Sequence, residues 1–164
     1  MNLNKKKTIN EGAFLLNQGE QMQHIWYVHE GILRAVNQSP TGTERVKEFY
    51  FPGEYCFLYL SWLTQCPARY SLQAVTKCVI SALPLSFLDS AEGKALADKL
   101  LRQQVTYKEK KEEMLLLHTP SQRYLYLQTH FPEWQRHLTQ RDLANYIGVS
   151  PVSLSRIRHR INKG

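Results

Sequence analysis

The sequence predicts an α+β chain: an antiparallel β-roll, one long helix, then two short helices joined by a tight turn. Three observations predict it. Residues 8 to about 88 hold short runs rich in β-branched and aromatic residues, separated by glycine turns. Residues 91–118 contain no proline and a single early glycine. Residues 138–161, LTQRDLANYIGVSPVSLSRIRHRI, carry two helix starts in close succession. The expected divisions are therefore 1–90, 91–118 and 119–164.

In the first division the strand runs are IWYV at 25–28, ILRAV at 32–36, VKEFYF at 46–51 and SLQAV at 71–75. Turn sequences punctuate them: Asn17-Gln18-Gly19, Glu30-Gly31, Ser39-Pro40-Thr41-Gly42 and Pro52-Gly53. The glycines of these turns recur every 11 or 12 residues, the spacing of a compact antiparallel barrel or sandwich.

In the second division Leu100, Gln103, Tyr107, Lys110, Met114 and Leu117 alternate by three and four, a heptad seam interrupted by Gln103 and Lys110. At 1.5 Å per residue the helix is about 40 Å long. A helix of that length does not fold back compactly on its own roll, so pairing with a second copy is its expected use. Leu100, Gln103, Tyr107, Met114 and Leu117 are the candidate dimer contacts. Lys108, Lys110 and Lys111 beside Glu109, Glu112 and Glu113 read as a solvated face. Thr119-Pro120-Ser121 ends the helix.

The third division holds the sharpest signal. Thr139 followed by Asp142 forms a capping box, in which hydroxyl and carboxylate satisfy first-turn N–H groups. Ser150 caps a second helix with Pro151 in its first position, where the missing N–H costs nothing. Gly148 supplies the turn between them. Leu143, Ile147, Val149, Leu154 and Ile157 form the inner seam, and Ala144 lets the helices cross closely. On the second helix Leu154, Ile157 and Ile161 share one face, and Val152, Arg156, His159 and Lys163 cluster opposite, flanked by Ser155 and Arg160. Arg158 falls on the flank of the inner seam. This is the shape that places one helix in the major groove of DNA.

Charge agrees with that reading. Of a net charge of +7, residues 120–164 carry +5, from seven Lys/Arg against two acids. Phosphate neutralisation requires cations there, because counterion release supplies much of the affinity. Hydrophobic content of 43% and charged content of 21% are those of a globular protein. No apolar run approaches the roughly 18 residues of a bilayer span, so no membrane partner is expected. The start MNLNKKKTIN lacks an apolar stretch and is not a secretory signal, so the expected location is cytoplasmic. Cys56, Cys66 and Cys78 are odd in number, lack metal-ligand spacing and read as buried thiols. His24 and His29 are five apart and face opposite sides of one strand, so they cannot share the metal of a cupin-type enzyme. A Gly-rich phosphate loop and a Ser/His/Asp pattern are also missing. Neither a metal nor an enzymatic activity is expected.

A glycine-punctuated roll, a long helix and a C-terminal helix-turn-helix together resemble the Crp/Fnr family of bacterial transcription regulators. GAFLLNQGE and WYVHEGILR resemble its first roll strands. FPGEYCFLYLSWLTQCPARYSLQAV resembles the turn and short helix of its ligand-binding cassette, and RYLYLQTHFPEW with LANYIGVSPVSLSRIR its DNA-binding end. The last segment is most similar to short members of the Bacteroidetes type. The resemblance implies a cyclic-nucleotide-binding-like roll and a homodimer on a two-fold symmetric double-stranded DNA site. Its further implied partners are an unidentified small-molecule effector and RNA polymerase. An iron–sulfur sensor of the Fnr kind would need four cysteines, typically near the N-terminus, and none precedes Cys56.

Two departures from the family are visible. Members that bind cyclic AMP place a Gly-Glu pair in the cassette helix for the ribose, and an Arg-Ser pair before the next strand for the phosphate. Here the first slot holds Phe57 and Leu58, while Gly53-Glu54 falls earlier, in the turn; Arg69, in Arg69-Tyr70-Ser71, sits one place out of register. Cyclic-nucleotide binding of the usual kind is therefore not expected, and Phe57, Leu58, Arg69, Tyr70 and Ser71 are the candidate effector contacts. The aromatic residues of 50–62 read as core and dimer contacts ahead of a pocket lining. The chain ends three residues past Ile161, so the usual β-hairpin wing is expected to be missing.

On DNA, Arg156 is the expected base reader, with Val152 and Ser155 near base edges. Thr139, Arg141, Ser150 and Ser153 are expected on the backbone, and Pro151, His159 and Arg160 complete the contact face. Half-sites would lie about 34 Å apart. The reading of a different class is a small-molecule- or partner-binding roll whose helical end grips no DNA.

Overall fold

The computed structural model describes residues 5–39 and 41–162; Pro40 of the Ser39–Gly42 turn and Lys163 of the expected contact face lie outside them. The chain divides between Leu101 and Arg102 into two compact units.

The first unit is the roll. Its described strands are β1 (Lys6–Ile9), β2 (Phe14–Leu16), β3 (His24–Glu30), β4 (Leu33–Gln38), β5 (Glu44–Tyr50), β6 (Tyr55–Cys56), β7 (Ser71–Ala74) and β8 (Cys78–Pro84). They form two antiparallel sheets, in the orders β1-β8-β3-β6 and β2-β7-β4-β5. Apolar residues alternate inwards along the strands, so Ile25, Val28, Leu33, Leu72 and Ile80 meet in a common core. The four expected strand runs fall on β3, β4, β5 and β7. The run that forms β8 has no glycine or proline separating it from β7, so no turn signal marks it. That reversal is secured from outside: the Ile32 amide donates to Thr76 Oγ1 at 3.0 Å. Gly31 packs directly against it with φ +81°, and a Cβ there would run into the Lys77 carbonyl oxygen.

Pairing of β4 with β5 shifts between Ala35 and Val36, leaving Lys47 as the extra residue of a bulge. A short helix α1 (Tyr59–Thr64) connects β6 to β7, and a 3-10 turn at Leu85–Asp89 leads into the long helix α2 (Lys94–Leu117).

Helix α2 runs 24 residues, within the expected 91–118. One expectation is corrected here. Ala97 and Leu100 belong to the roll's own core, each 7% exposed, so the first turns of α2 do pack on the roll. The apolar surface of β-strands needs a cover, and these two residues supply part of it.

The second unit contains the rest of α2 with α3 (Pro120–His130), α4 (Trp134–His137), α5 (Gln140–Ile147) and α6 (Pro151–Ile161). Helix α3 packs against both α5 and α6. Leu127, Ala144, Ile147 and Leu154 are fully buried in this unit. Thr119, which the sequence offers as part of a helix stop, also caps α3 through a capping box with Gln122 and with Pro120 at the first helical position. No helix among the described residues is long and apolar enough to cross a membrane.

Candidate nucleic-acid interface

The helix pair forms as its local chemistry dictates. The Thr139 hydroxyl accepts the Asp142 N–H at 3.1 Å and donates to Asp142 Oδ2 at 2.6 Å, while the Thr139 amide donates to the same oxygen at 3.3 Å. Gly148 ends α5 in the left-handed region at φ 74°, and the Val149 amide donates back to the Ala144 carbonyl at 3.0 Å. Two residues later Ser150 Oγ accepts the Ser153 N–H at 3.1 Å and opens α6 with Pro151 in its first turn. The turn is thus determined by three residues whose chemistry is entirely local.

Packing then sets the orientation of α6. Leu154 and Ile157 are buried at 0% and 4% exposure. Val152, Ser155, Arg156, His159 and Arg160 all face solvent, with Arg158 half-buried beside the seam. Val152 is 61% exposed. Arg158, His159 and Arg160 lie in the last turn, where cations complement the C-terminal dipole. Arg141 is exposed on the first turn of α5. The structure therefore brings these candidate contacts together on the exposed surface of one helical pair. The hydroxyls of Thr139, Ser150 and Ser153 are engaged in the caps, Ser150 Oγ lying 2.8 Å from Ser153 Oγ.

The dimer seam read from sequence needs correction. Leu100 is enclosed by its own roll, and Met114 is 1% exposed. Tyr107 is half-buried and its hydroxyl lies 2.6 Å from that of Tyr146 on α5. Only Gln103 and Leu117 of the five stay exposed. The apolar side chains that α2 leaves open are Leu117 of that seam, at 72%, together with Val105 and Leu116, at 60% and 74%. A three-and-four count identifies a helix's apolar stripe but not which neighbour covers it.

The cassette positions fall in different environments. Phe57 and Leu58 are 0% and 3% exposed and belong to the roll's core. The Phe57 ring lies 4.2 Å from that of Tyr59 and meets Trp62 edge-on, and its carbonyl accepts the Tyr50 hydroxyl. Arg69 is exposed, and its carbonyl accepts from Asn37 Nδ2 at 3.1 Å. Ser71 Oγ accepts the Gln18 amide at 2.9 Å. Lys47 Nζ lies 5.5 Å from the centre of the Tyr70 ring but also 3.6 Å from Glu48 Oε2, so its charge is already matched. Glu54 holds its own turn by accepting the Phe51 amide at 2.8 Å. Of the candidate effector contacts, Phe57 and Leu58 thus lie in apolar core and Arg69 lies on the surface. Cys56 is fully enclosed, and burial pushes its thiol well up, away from the reactive thiolate. Cys78 is buried, whereas Cys66 is half-buried.

With this geometry established, comparison with known proteins places the chain. Residues 6–91, over half of its length, match the cyclic nucleotide-binding domain. An anaerobic regulatory protein of Haemophilus influenzae is 24% identical over 98% of this chain and 68% of its own length. Among solved structures, FixK2 of Bradyrhizobium japonicum has a TM-score of 0.78 at 18% identity, covering 97% of this chain and 84% of that one. A transcriptional regulator of the CRP/FNR family from Thermus thermophilus also reaches 0.78, at 16% identity over 97% and 86%. The chain belongs to the cyclic nucleotide-binding domain family.

Proposed function

We propose that the chain is a sequence-specific DNA-binding transcriptional regulator acting as a homodimer on a two-fold symmetric site. The observation that carries this is the exposed face of Val152, Ser155, Arg156 and His159, on a helix whose opposite side is held by Leu154 and Ile157. In the major groove Arg156 presents a planar fork to guanine O6 and N7, and the Val152 methyls suit a thymine methyl. Arg141, His159 and Arg160 neutralise phosphates and set register without reading sequence. The two copies join through the long helix, where Val105, Leu116 and Leu117 are open to a partner. RNA polymerase is the further macromolecular partner.

The roll takes no cyclic nucleotide in the sugar–phosphate mode, because Phe57 and Leu58 occupy the acceptor slot with apolar bulk. Any effector is a small molecule of another class.

Selection of bound sites from random DNA, with and without cyclic AMP, tests both halves. Expected is an enriched inverted repeat with half-sites about 34 Å apart, unaffected by the nucleotide. Arg156→Ala should cost roughly 1–3 kcal/mol on that repeat and relax one base pair. Equal losses on repeat and random DNA would remove Arg156 as the reader. No salt-sensitive complex on any fragment would leave a roll that binds a small molecule or a partner and no DNA.

A further inference from the structure

Arg123 stands in the first turn of α3, immediately after the break between the long helix and the helical module. Its guanidinium makes three hydrogen bonds to main-chain carbonyls on different segments. Nη2 donates to Leu115 at 2.7 Å, Nε to His118 at 3.0 Å, and Nη1 to Ile147 at 3.1 Å. Leu115 lies in the last turn of α2, His118 in the linker, and Ile147 is the last residue of α5, directly before Gly148. Carbonyls at helix ends lack partners within their own helix. Neither α2 nor α5 has a basic residue in its last turn, so Arg123 supplies to both the cation their C-terminal dipoles favour.

A second attachment lies further up α2. The Tyr107 and Tyr146 hydroxyls are 2.6 Å apart, and Lys111 Nζ sits 3.7 Å from the centre of the Tyr146 ring. Helix α2 is thus joined to α5 at two levels along its length, and Thr119-Pro120 is not a free hinge.

We propose that Arg123 is a positioning residue: it fastens the end of the long helix to the turn of the helix-turn-helix as one rigid body, and so fixes the half-site spacing that the dimer reads. This rests on the DNA-binding reading above. If two copies meet through their long helices, each recognition helix is referred to the dimer axis through the joint that Arg123 spans. A lysine cannot replace it, because an ammonium is a point donor and the three carbonyls require a planar fork.

The test uses the full chain, with Arg123→Ala and Arg123→Lys, and inverted repeats whose spacer is lengthened or shortened by one base pair. The unaltered chain should prefer its best spacing by about tenfold or more. Both variants should reduce that preference to within about twofold while binding an isolated half-site within about twofold of the unaltered chain. A merely structural role would lower both affinities together and leave the spacing preference intact, which would overturn the proposal. Hydrogen exchange supplies a readout that needs no DNA. In both variants the amides of His118 and Val149, bonded to Met114 and Ala144, should exchange faster together. Unchanged exchange would overturn the joint. If the unaltered chain binds no DNA, the regulatory reading fails, and the joint is still decided by those two amides.

Discussion

The helix-turn-helix at 139–161 and the cassette at 55–71 are both short segments with family signatures, yet the fold treats their signature residues in opposite ways. In the first, the residues expected to act are on the outside and the apolar seam is inside. In the second, Phe57 and Leu58, at the slot where the family resemblance leads one to expect ligand contacts, are part of the core. A motif position is a site only where its side chain remains available. Apolar bulk at such a position drives it inwards, because burying a large side chain is worth roughly 1.5–3 kcal/mol.

The sharpest way to break this contrast is to restore the missing pair. Phe57→Gly with Leu58→Glu removes a fully buried ring and places a carboxylate at a position 3% exposed. Loss of the ring alone costs about 3–5 kcal/mol, and an unpaired buried charge adds to that. The roll should unfold at markedly lower urea and gain no affinity for cyclic AMP in calorimetry. A folded variant that binds the nucleotide would mean that the slot is a latent site and not core.

The corresponding change at the reading end is Leu154→Ala. Leu154 is 0% exposed, and its truncation should cost about 2–5 kcal/mol, with loss of helical circular dichroism in parallel with DNA binding. Arg156→Ala, two residues away on the exposed face, should leave stability within about 0.5 kcal/mol while weakening the operator complex. If Arg156→Ala destabilised the unit as Leu154→Ala does, the division into an inner seam and an outer reading face would be wrong.

The same contrast explains what is legible in the sequence. The α5–α6 turn depends on Thr139, Asp142, Gly148, Ser150 and Pro151, whose preferences act within a few residues, so reading the chain locates it closely. The identity of the partner covering α2 depends on contacts distant in sequence. A heptad count therefore assigns Leu100 and Met114 to a second copy, although both are buried within the described chain. Helix α3 escapes the same reading despite a visible signal, since Thr119-Pro120-Ser121-Gln122 is at once a stop for α2 and a capping box for α3. Arg123 carries no local signature at all. Its three acceptors are 5, 8 and 24 residues away, and only folding brings them to one guanidinium.

A smaller effect separates capping from DNA contact at Thr139. Its hydroxyl donates to Asp142 Oδ2 at 2.6 Å and accepts the Asp142 N–H at 3.1 Å, so its single proton is already committed. Thr139→Ala should cost about 1 kcal/mol of stability, and Thr139→Ser should restore most of it. If the hydroxyl acts only through the cap, the affinity of the folded fraction for DNA should be the same for all three residues, and so should its salt dependence. A phosphate contact predicts the reverse: the alanine variant would bind more weakly at every temperature below its transition, on operator and random DNA alike, because backbone contacts carry no sequence information. Arg141, exposed two residues further on, gives the standard for that outcome. Its replacement by alanine should weaken all sequences and reduce the salt slope by about one. Agreement between the Thr139 and Arg141 profiles would move Thr139 from the scaffold to the contact surface.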